Sequence, residues 1–195
     1  MLYDKDIREG LFDFLDETYG KNRILEEKRI GRSRADVVMV TLTAIYGIEI
    51  KSDADTYTRL ERQIRDYDRF YDYNYVVAGS RHAMHIEEHV PESWGIITVD
   101  EIDGQADFYI LRRPTENPKL QWKRKLSLLW RPELAHIQKL NHMHLYKQKS
   151  KEFVIGKILE KVPLEILGIQ MCEELFQRDY NMIGDIIKEY RKNRK

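Results

Sequence analysis

One short stretch most constrains what this chain can fold into: residues 46–51, with the sequence YGIEIK. In an extended strand alternate side chains share a face, so Glu49 and Lys51 project together while the two isoleucines enter the core. Asp36 opens an earlier apolar run, residues 37–40, and the short connection between the runs suits a hairpin that brings Asp36 alongside Glu49. Two carboxylates and a lysine are the minimum for binding a hard divalent cation and orienting a water.

Length and composition exclude several classes of protein. The 195 residues permit one domain or one domain with an appendage, and the single Cys172 excludes an internal disulfide. No run of about eighteen apolar residues exists to span a membrane. Residues 1–6 are polar and acidic, unlike a signal peptide. We therefore expect a soluble, cytoplasmic protein that does not associate with membranes.

The net charge of zero hides an asymmetry along the chain. Residues 1–118 contain 16 Lys+Arg and 24 Asp+Glu, a net charge of −8, whereas residues 119–195 contain 17 and 9, a net charge of +8. This asymmetry fits a nucleic-acid enzyme, in which an acidic part can bind metal and an adjacent basic part can bind phosphate. Ordinary charge scatter is the alternative that charge alone leaves open.

Hydrophobic periodicity predicts an α/β region over residues 1–118. The expected order is a helix over 4–19, strands over 23–30, 35–42 and 45–51, a helix over 54–71 and a strand over 75–79. A short helix ending near Pro91 and a hairpin of strands over 95–99 and 106–111 follow. The loop 112–118, RRPTENP, is the best domain boundary in the chain.

Beyond that loop, residues 119–195 read as a basic, all-helical domain. The predicted helices cover 120–130, 132–146, 150–161, 163–177 and 181–191. The third and fourth, with Pro163 at the start of the fourth, would suit a helix-turn-helix-like pair. A bundle that docks on the core or on another subunit fits the same pattern, and the sequence does not choose between them.

At Asp36, Glu49-Ile50-Lys51 and Gln63-x-x-x-Tyr67 the sequence resembles the PD-(D/E)XK nuclease superfamily. Asp36 matches the first acid of the motif, although Ala35 stands where a proline often precedes it. Gln63 and Tyr67 resemble an extension seen in the branch with RecB-type and exonuclease-like members. Residues 31–36 and 49–53 look like short, largely uncharacterised bacterial and phage proteins within the superfamily.

The resemblance covers residues 23–111 well and residues 119–195 only loosely. It implies a restriction-endonuclease-like core (helix, three strands, helix, strand) with a mixed central sheet, and a site that binds Mg²⁺ or Mn²⁺. Asp36 and Glu49 would be metal ligands, with the Ile50 carbonyl as a third. Lys51 would orient the attacking water or hold the scissile phosphate.

Three further side chains are candidates for the catalytic and metal site. Glu27 is the candidate upstream acid, with Glu26 as its rival; on one strand the two face opposite ways, so only one can join the site. Gln63 and Tyr67 share the inward face of their helix, where Gln63 could bind a metal water or phosphate and Tyr67 could brace Lys51 or the backbone. The alternatives are solvated strand carboxylates and a polar pair that ties the helix to the sheet.

Five arginines are candidates for gripping phosphate: Arg32, Arg34, Arg59, Arg62 and Arg65. Plain solvation is an equal alternative for each. The expected function is a metal-dependent nuclease that hydrolyses phosphodiester bonds in DNA, in repair, restriction or phage DNA processing. Double-strand cutting would call for a homodimer, because in the family each site cuts one strand.

Two other functions remain open at this point. One is a catalytically idle relative that uses the fold to bind nucleic acid or a partner protein. The other is an accessory protein in which the helical tail acts and the core is a scaffold.

Overall fold

The computed structural model describes residues 4–51, 57–79, 85–179 and 183–192. The chain divides into two compact units, residues 1–121 and residues 122–195. Within the described ranges, no helix combines the length and the continuous apolar character needed to cross a lipid bilayer.

The first unit is α/β, as the sequence predicts. Its elements are α1 (Asp4–Tyr19), β1 (Arg23–Ile30), β2 (Ser33–Val40), β3 (Ile45–Lys51), α2 (Leu60–Phe70), β4 (Tyr73–Gly79), β5 (Gly95–Ile102) and β6 (Gln105–Arg112). A single 3₁₀ turn, Tyr57–Arg59, precedes α2. The first six elements follow the predicted order of helix, three strands, helix and strand.

The six strands form one mixed sheet in the order β1-β2-β3-β4-β5-β6. The pairs β1–β2, β2–β3 and β5–β6 are antiparallel, and β3–β4 and β4–β5 are parallel. The predicted hairpin of β2 and β3 is present. The β3–β4 pair is parallel, and parallel neighbours need a long connection. The connection that contains α2 provides it.

Some predicted boundaries were wrong for local reasons. The strand predicted over 35–42 runs from Ser33 to Val40, since the turn at Gly31 (φ +53°) lets pairing begin at Ser33. It stops at Val40 because Thr41 enters a turn in which its side-chain oxygen accepts from the Ala44 N–H at 3.1 Å. β5 and β6 extend further than predicted, as far as a tight Asp103-Gly104 turn.

Two other predicted helices of this unit fall partly outside the described residues. α2 begins at Leu60, not at residue 54, and residues 52–56 are not described. Of the short helix predicted after Ser80, only His85 and Ile86 are helical before a turn at residues 87–89; residues 80–84 are not described.

The main core lies between α1 and one face of the sheet. Ile7, Leu11 and Leu15 of α1 pack there against strand side chains of alternating positions: Val37, Met39, Ile48, Ile50, Tyr75, Val77, Ile97 and Val99. Each fully buried side chain of this size contributes roughly 1.5–3 kcal/mol. Since Ile48 and Ile50 face α1, Glu49 and Lys51 face the opposite side of the sheet, where α2 lies.

The second unit is helical: α3 (Trp122–Leu126), α4 (Arg131–Leu140), α5 (Lys151–Lys161), α6 (Leu164–Gln177) and α7 (Ile183–Lys192). α4 contacts α5, α6 and α7. α5 and α6 match the predicted helices closely; the Ser150 side chain caps α5 by accepting from the Phe153 N–H at 3.2 Å.

Two helix predictions in this unit were wrong in extent. The helix predicted over 120–130 ends at Leu126, and the one predicted over 132–146 ends at Leu140. After Leu140 the Asn141 side chain donates to the Ile137 carbonyl at 2.8 Å, and His142 adopts φ +52°, which stops the helix.

Candidate metal and catalytic site

The register of β2 and β3 brings Asp36 and Glu49 together. The ladder pairs Val37 with Ile48, so the next positions along the two strands are Asp36 and Glu49, on the α2 face. The Tyr67 hydroxyl joins them: it accepts from the Asp36 backbone N–H at 3.2 Å and donates to Glu49 Oε2 at 2.8 Å. One α2 side chain thus contacts both predicted ligands.

Glu49 is the most buried of the site's charged groups, with a side chain 1% exposed. Its Oε1 accepts from Lys51 Nζ at 2.8 Å and from Gln63 Nε2, and its Oε2 accepts from Tyr67. Lys51 Nζ also donates to Gln63 Oε1 at 3.0 Å. A buried carboxylate needs such partners, and here the four predicted side chains provide them for one another.

A glycine makes this close approach of α2 to the sheet feasible. A Cβ on Gly47 would lie 2.7 Å from Tyr67 Cδ1 and nearer still to the Tyr71 ring. Because Gly47 has no side chain, Tyr67 can lie over β3 and reach Glu49. Gly47 was not predicted to matter, although an isolated glycine inside a strand is a known sign of a close neighbour.

Tyr67 remains a hydrogen-bond donor over a wide pH range. Complete burial raises the pKa of Tyr67 well above its usual value, and the nearby Glu49 and Asp36 carboxylates raise it further. The neutral hydroxyl is therefore the form that meets Glu49.

Asp36 is the more accessible acid, with a side chain 21% exposed. Its Oδ2 accepts from the Ile50 backbone N–H at 2.9 Å, and its Oδ1 lies 3.8 Å from Nη2 of Arg8. Ile50 was predicted to offer its carbonyl to a metal; what the structure adds is that its N–H orients Asp36.

Glu27 and Glu26 lie on β1, next to Asp36. Extending the β1–β2 register sets Glu27 opposite Asp36, whereas Glu26 pairs with Val37, which belongs to the α1 core. Arg8 nevertheless reaches both acids, at 3.4 Å from Glu26 Oε2 and 4.0 Å from Glu27 Oε1. The two glutamates are thus on opposite faces by register but share one arginine.

Arg8 belongs to this site and was not predicted from the sequence. It lies on α1, directly after the buried Ile7, and its side chain is only 14% exposed. The only sequence signal is its position at the margin of the apolar stripe of α1, where an arginine stem can cross apolar surface. Many surface arginines share that signal.

The five arginines predicted to grip phosphate are all exposed: Arg32, Arg34, Arg59, Arg62 and Arg65. Arg34 donates to Glu27 Oε2 at 2.9 Å, which places it beside the site. Arg65 pairs with Glu61, one turn away on the outer face of α2. The structure thus brings Arg34 to the acids, while Arg65 lies on the solvent side of the helix.

The site offers a hard cation few protein ligands. Among the described residues, no three His, Cys, Asp or Glu side chains converge as a metal site. Mg²⁺ commonly takes one or two carboxylates and completes its shell with water and phosphate. The Asp36 and Glu49 oxygens, on neighbouring strands, fit that requirement in number and kind.

Comparisons with curated proteins and with solved structures find no match. A family model does match, over residues 1–194. The chain therefore belongs to the family described as bacteriophage P4 protein cII.

Proposed function

We propose that this protein is a metal-dependent nuclease that hydrolyses phosphodiester bonds in DNA. The observation that carries the proposal is the contact of Lys51 with the buried carboxylate of Glu49, one strand away from Asp36. Burying an ionised acid and a lysine is costly unless both are well paired. Here the pair lies beside Asp36, whose side chain is 21% exposed, so the buried charges adjoin an acid that solvent and a metal can reach.

Each residue of the site would have its own role in hydrolysis. Asp36 and Glu49 would hold Mg²⁺ or Mn²⁺ with hard oxygen donors. When bound, the cation would neutralise charge that develops on the phosphate and make water a better nucleophile. Lys51 would place a positive charge against the phosphate, while Gln63 holds Lys51 and Tyr67 fixes Glu49.

The order of the elements supports the same proposal. A helix, three strands, a helix and a strand are the order that the PD-(D/E)XK resemblance implies; in the structure the three strands are antiparallel and the fourth is parallel to β3. Asp36, Glu49 and Lys51 occupy the motif positions, and Gln63 and Tyr67 lie on the helix that follows. We infer a restriction-endonuclease-like core on this basis.

DNA is the proposed substrate because the exposed Arg34 lies beside Glu27 and residues 119–195 carry a net charge of +8. Arg34 stands beside Glu27 at the partly open side of the site. Arg59 and Arg62 are exposed at the start of α2. Arginine side chains bind backbone phosphates without regard to sequence. A homodimer would place two such sites on the two strands of a duplex.

One observation favours a second function, a catalytically idle module that binds nucleic acid or a partner protein. Each oxygen of Glu49 already accepts a hydrogen bond from a side chain, and Arg8 lies against Asp36. If these contacts persist, the two acids cannot bind a metal, and the protein can only bind its partner without cutting DNA. The two functions differ in whether DNA is cut.

The deciding experiment is cleavage of circular single-stranded and supercoiled duplex DNA by the full chain with Mg²⁺ or Mn²⁺. We expect Glu49→Gln and Lys51→Ala to lower the cleavage rate about a hundredfold or more. Lys51→Ala should retain most of the DNA affinity. The matched controls Glu160→Gln and Lys157→Ala, an exposed pair on α5, should cut like the wild type.

The outcomes separate the two functions. Metal-dependent cutting that both site variants lose supports the nuclease, and cutting of circles identifies an endonuclease. DNA binding without cutting of circular DNA, linear DNA or RNA overturns the nuclease and leaves the binding module. Cutting that both site variants retain points to a contaminating enzyme and also overturns the proposal.

A further inference from the structure

Arg8 lies beside three carboxylates: Asp36 and Glu27, which are candidate site residues, and Glu26. Its Nη2 is 3.8 Å from Asp36 Oδ1 and 4.0 Å from Glu27 Oε1, and its Nη1 is 3.4 Å from Glu26 Oε2. The Arg8 side chain is 14% exposed and that of Asp36 is 21% exposed, whereas the Glu26 and Glu27 side chains are 52% and 49% exposed. One guanidinium therefore serves three carboxylates.

Arg8 reaches the site through an irregular point in the sheet. β1 and β2 pair on both sides of this point, Glu26 with Val37 and Lys28 with Ala35, but not at Glu27. Glu27 has φ +51°, a conformation that a non-glycine residue rarely adopts within a strand.

The backbone at this irregular point is bonded to the arginine. Arg8 Nη1 donates to the Asp36 carbonyl at 3.2 Å. The guanidinium is thus hydrogen-bonded to the backbone and not only attracted by charge. The buried neighbours Ile7 and Leu11 fix the helix that carries it.

The oxygen that faces Arg8 is the one that a cation would need. Asp36 Oδ2 is already bonded to the Ile50 N–H, so Oδ1 is the better placed oxygen for a metal. A guanidinium stays charged at any pH of interest. A divalent cation at Oδ1 would therefore meet a like charge at close range.

We propose that Arg8 is the resident counter-ion of this acidic cluster and that a divalent cation binds Asp36 at the expense of the Arg8 contact. Arg8 thereby sets the metal affinity of the site. It neutralises the acids when metal is scarce, and the cation displaces it from Asp36 when metal is abundant. The inference rests on the proposed function, since it concerns the metal of the same site.

The test is direct Mn²⁺ binding, by calorimetry and by the electron paramagnetic resonance signal of free Mn²⁺, without DNA. We expect Arg8→Gln to bind Mn²⁺ about tenfold more tightly than the wild type, a typical coupling between two linked sites. Arg124→Gln is the matched control: it removes an exposed guanidinium on α3 of the helical unit, and we expect a change below about twofold. Asp36→Asn should abolish binding.

Two further measurements keep the inference testable if Arg8→Gln does not fold. Arg8→Lys retains the charge but cannot bond several acids and a carbonyl at once, so it should bind Mn²⁺ several-fold more tightly. In the wild type, saturating Mn²⁺ should raise the reactivity of Arg8 toward phenylglyoxal, mapped by mass spectrometry.

The possible failures are distinguishable. If the wild type binds Mn²⁺ and the Arg8 variants bind equally or more weakly, the counter-ion role is overturned while the nuclease proposal stands. The same holds if Mn²⁺ leaves the reactivity of Arg8 unchanged. If neither the wild type nor any variant binds Mn²⁺, both proposals fail.

Discussion

Tyr67 donates its hydroxyl hydrogen to Oε2 of Glu49 at 2.8 Å, and both side chains are buried. The same hydroxyl accepts from the Asp36 backbone N–H at 3.2 Å. The contact links α2 to two neighbouring strands at the site. The hydroxyl holds the buried Glu49 carboxylate in place. Tyr67 therefore both stabilises the fold and positions the site.

Tyr67→Phe should lower the free energy of unfolding by about 1.5–3 kcal/mol, because a buried carboxylate oxygen loses its donor. The measurement is urea unfolding followed by circular dichroism. Tyr109→Phe is the matched control, since the Tyr109 side chain is 67% exposed and its change should fall within about 0.5 kcal/mol. Equal effects of the two variants would contradict the role of the buried hydroxyl.

Much of the site could be predicted because it depends on short-range periodicity. Alternation along β3 places Glu49 and Lys51 on one face, and four-residue spacing places Gln63 and Tyr67 on one face of α2. The short connection after Val40 made the hairpin predictable. Each of these relations lies within one strand, one helical turn or one short connection, so the sequence carries it directly.

Arg8 and the conformation of Glu27 could not be predicted in the same way. Arg8 meets Asp36, which is 28 residues away in sequence, only because α1 packs on the sheet. The missing β1–β2 pair at Glu27 and its positive φ have no signal in the local sequence pattern. Similarly, α4 ends at Leu140 because His142 adopts a left-handed conformation. A glycine or asparagine at position 142 would have been a clearer sequence signal for that conformation.

Gly47→Ala should lower the free energy of unfolding by about 1–3 kcal/mol or more. The new methyl group would overlap the rings of Tyr67 and Tyr71, which are buried and have no room to move. Thermal unfolding of the full chain measures the effect. Displacement of Tyr67 should also weaken any activity that depends on Glu49.

The control for this substitution is Gly156→Ala on α5, where nothing lies within 4 Å of the added atom. There the alanine should stabilise the chain by about 0.4–1 kcal/mol, since it favours the helix. Destabilisation of similar size at both glycines would show that the crowding at Gly47 is not the cause.

Alkaline pH should unfold the protein in a way that depends on five tyrosines: Tyr19, Tyr46, Tyr67, Tyr71 and Tyr75. Burial raises the pKa of each, in the case of Tyr46 to about 12. Below about pH 10 these tyrosines are neutral in both states, so they do not change stability there. Above it the unfolded chain releases protons that the folded chain retains, and stability falls by up to about 1.4 kcal/mol per pH unit for each tyrosine.

The measurement is the phenolate absorbance followed together with circular dichroism during an alkaline titration. We expect a first group of tyrosines to ionise in the folded protein and a second group to ionise only as the fold is lost. Tyr67→Phe should reduce the size of the second group. Ionisation of all tyrosines in one step before unfolding would contradict the burial argument.

Arg178 should be the most sensitive charged residue of the helical unit. Its guanidinium bonds both oxygens of Glu133, at 2.7 and 2.6 Å, and lies 3.8 Å over the ring of Trp130. The side chain is 1% exposed, so its loss would leave Glu133 with an uncompensated buried charge. Arg178→Ala should therefore cost about 3–5 kcal/mol of unfolding free energy, measured by urea denaturation.

Two comparison variants separate the causes of that loss. Arg178→Lys keeps the charge but cannot bond both oxygens or stack on Trp130, so it should also destabilise. The double variant Arg178→Met with Glu133→Leu removes both charges and should recover a large part of the stability lost in Arg178→Ala. If the double variant is less stable than Arg178→Ala, the buried charge is not the main cost, and the hydrogen bond that Glu133 Oε2 accepts from the Trp130 N–H at 2.6 Å, which only the double variant loses, outweighs it.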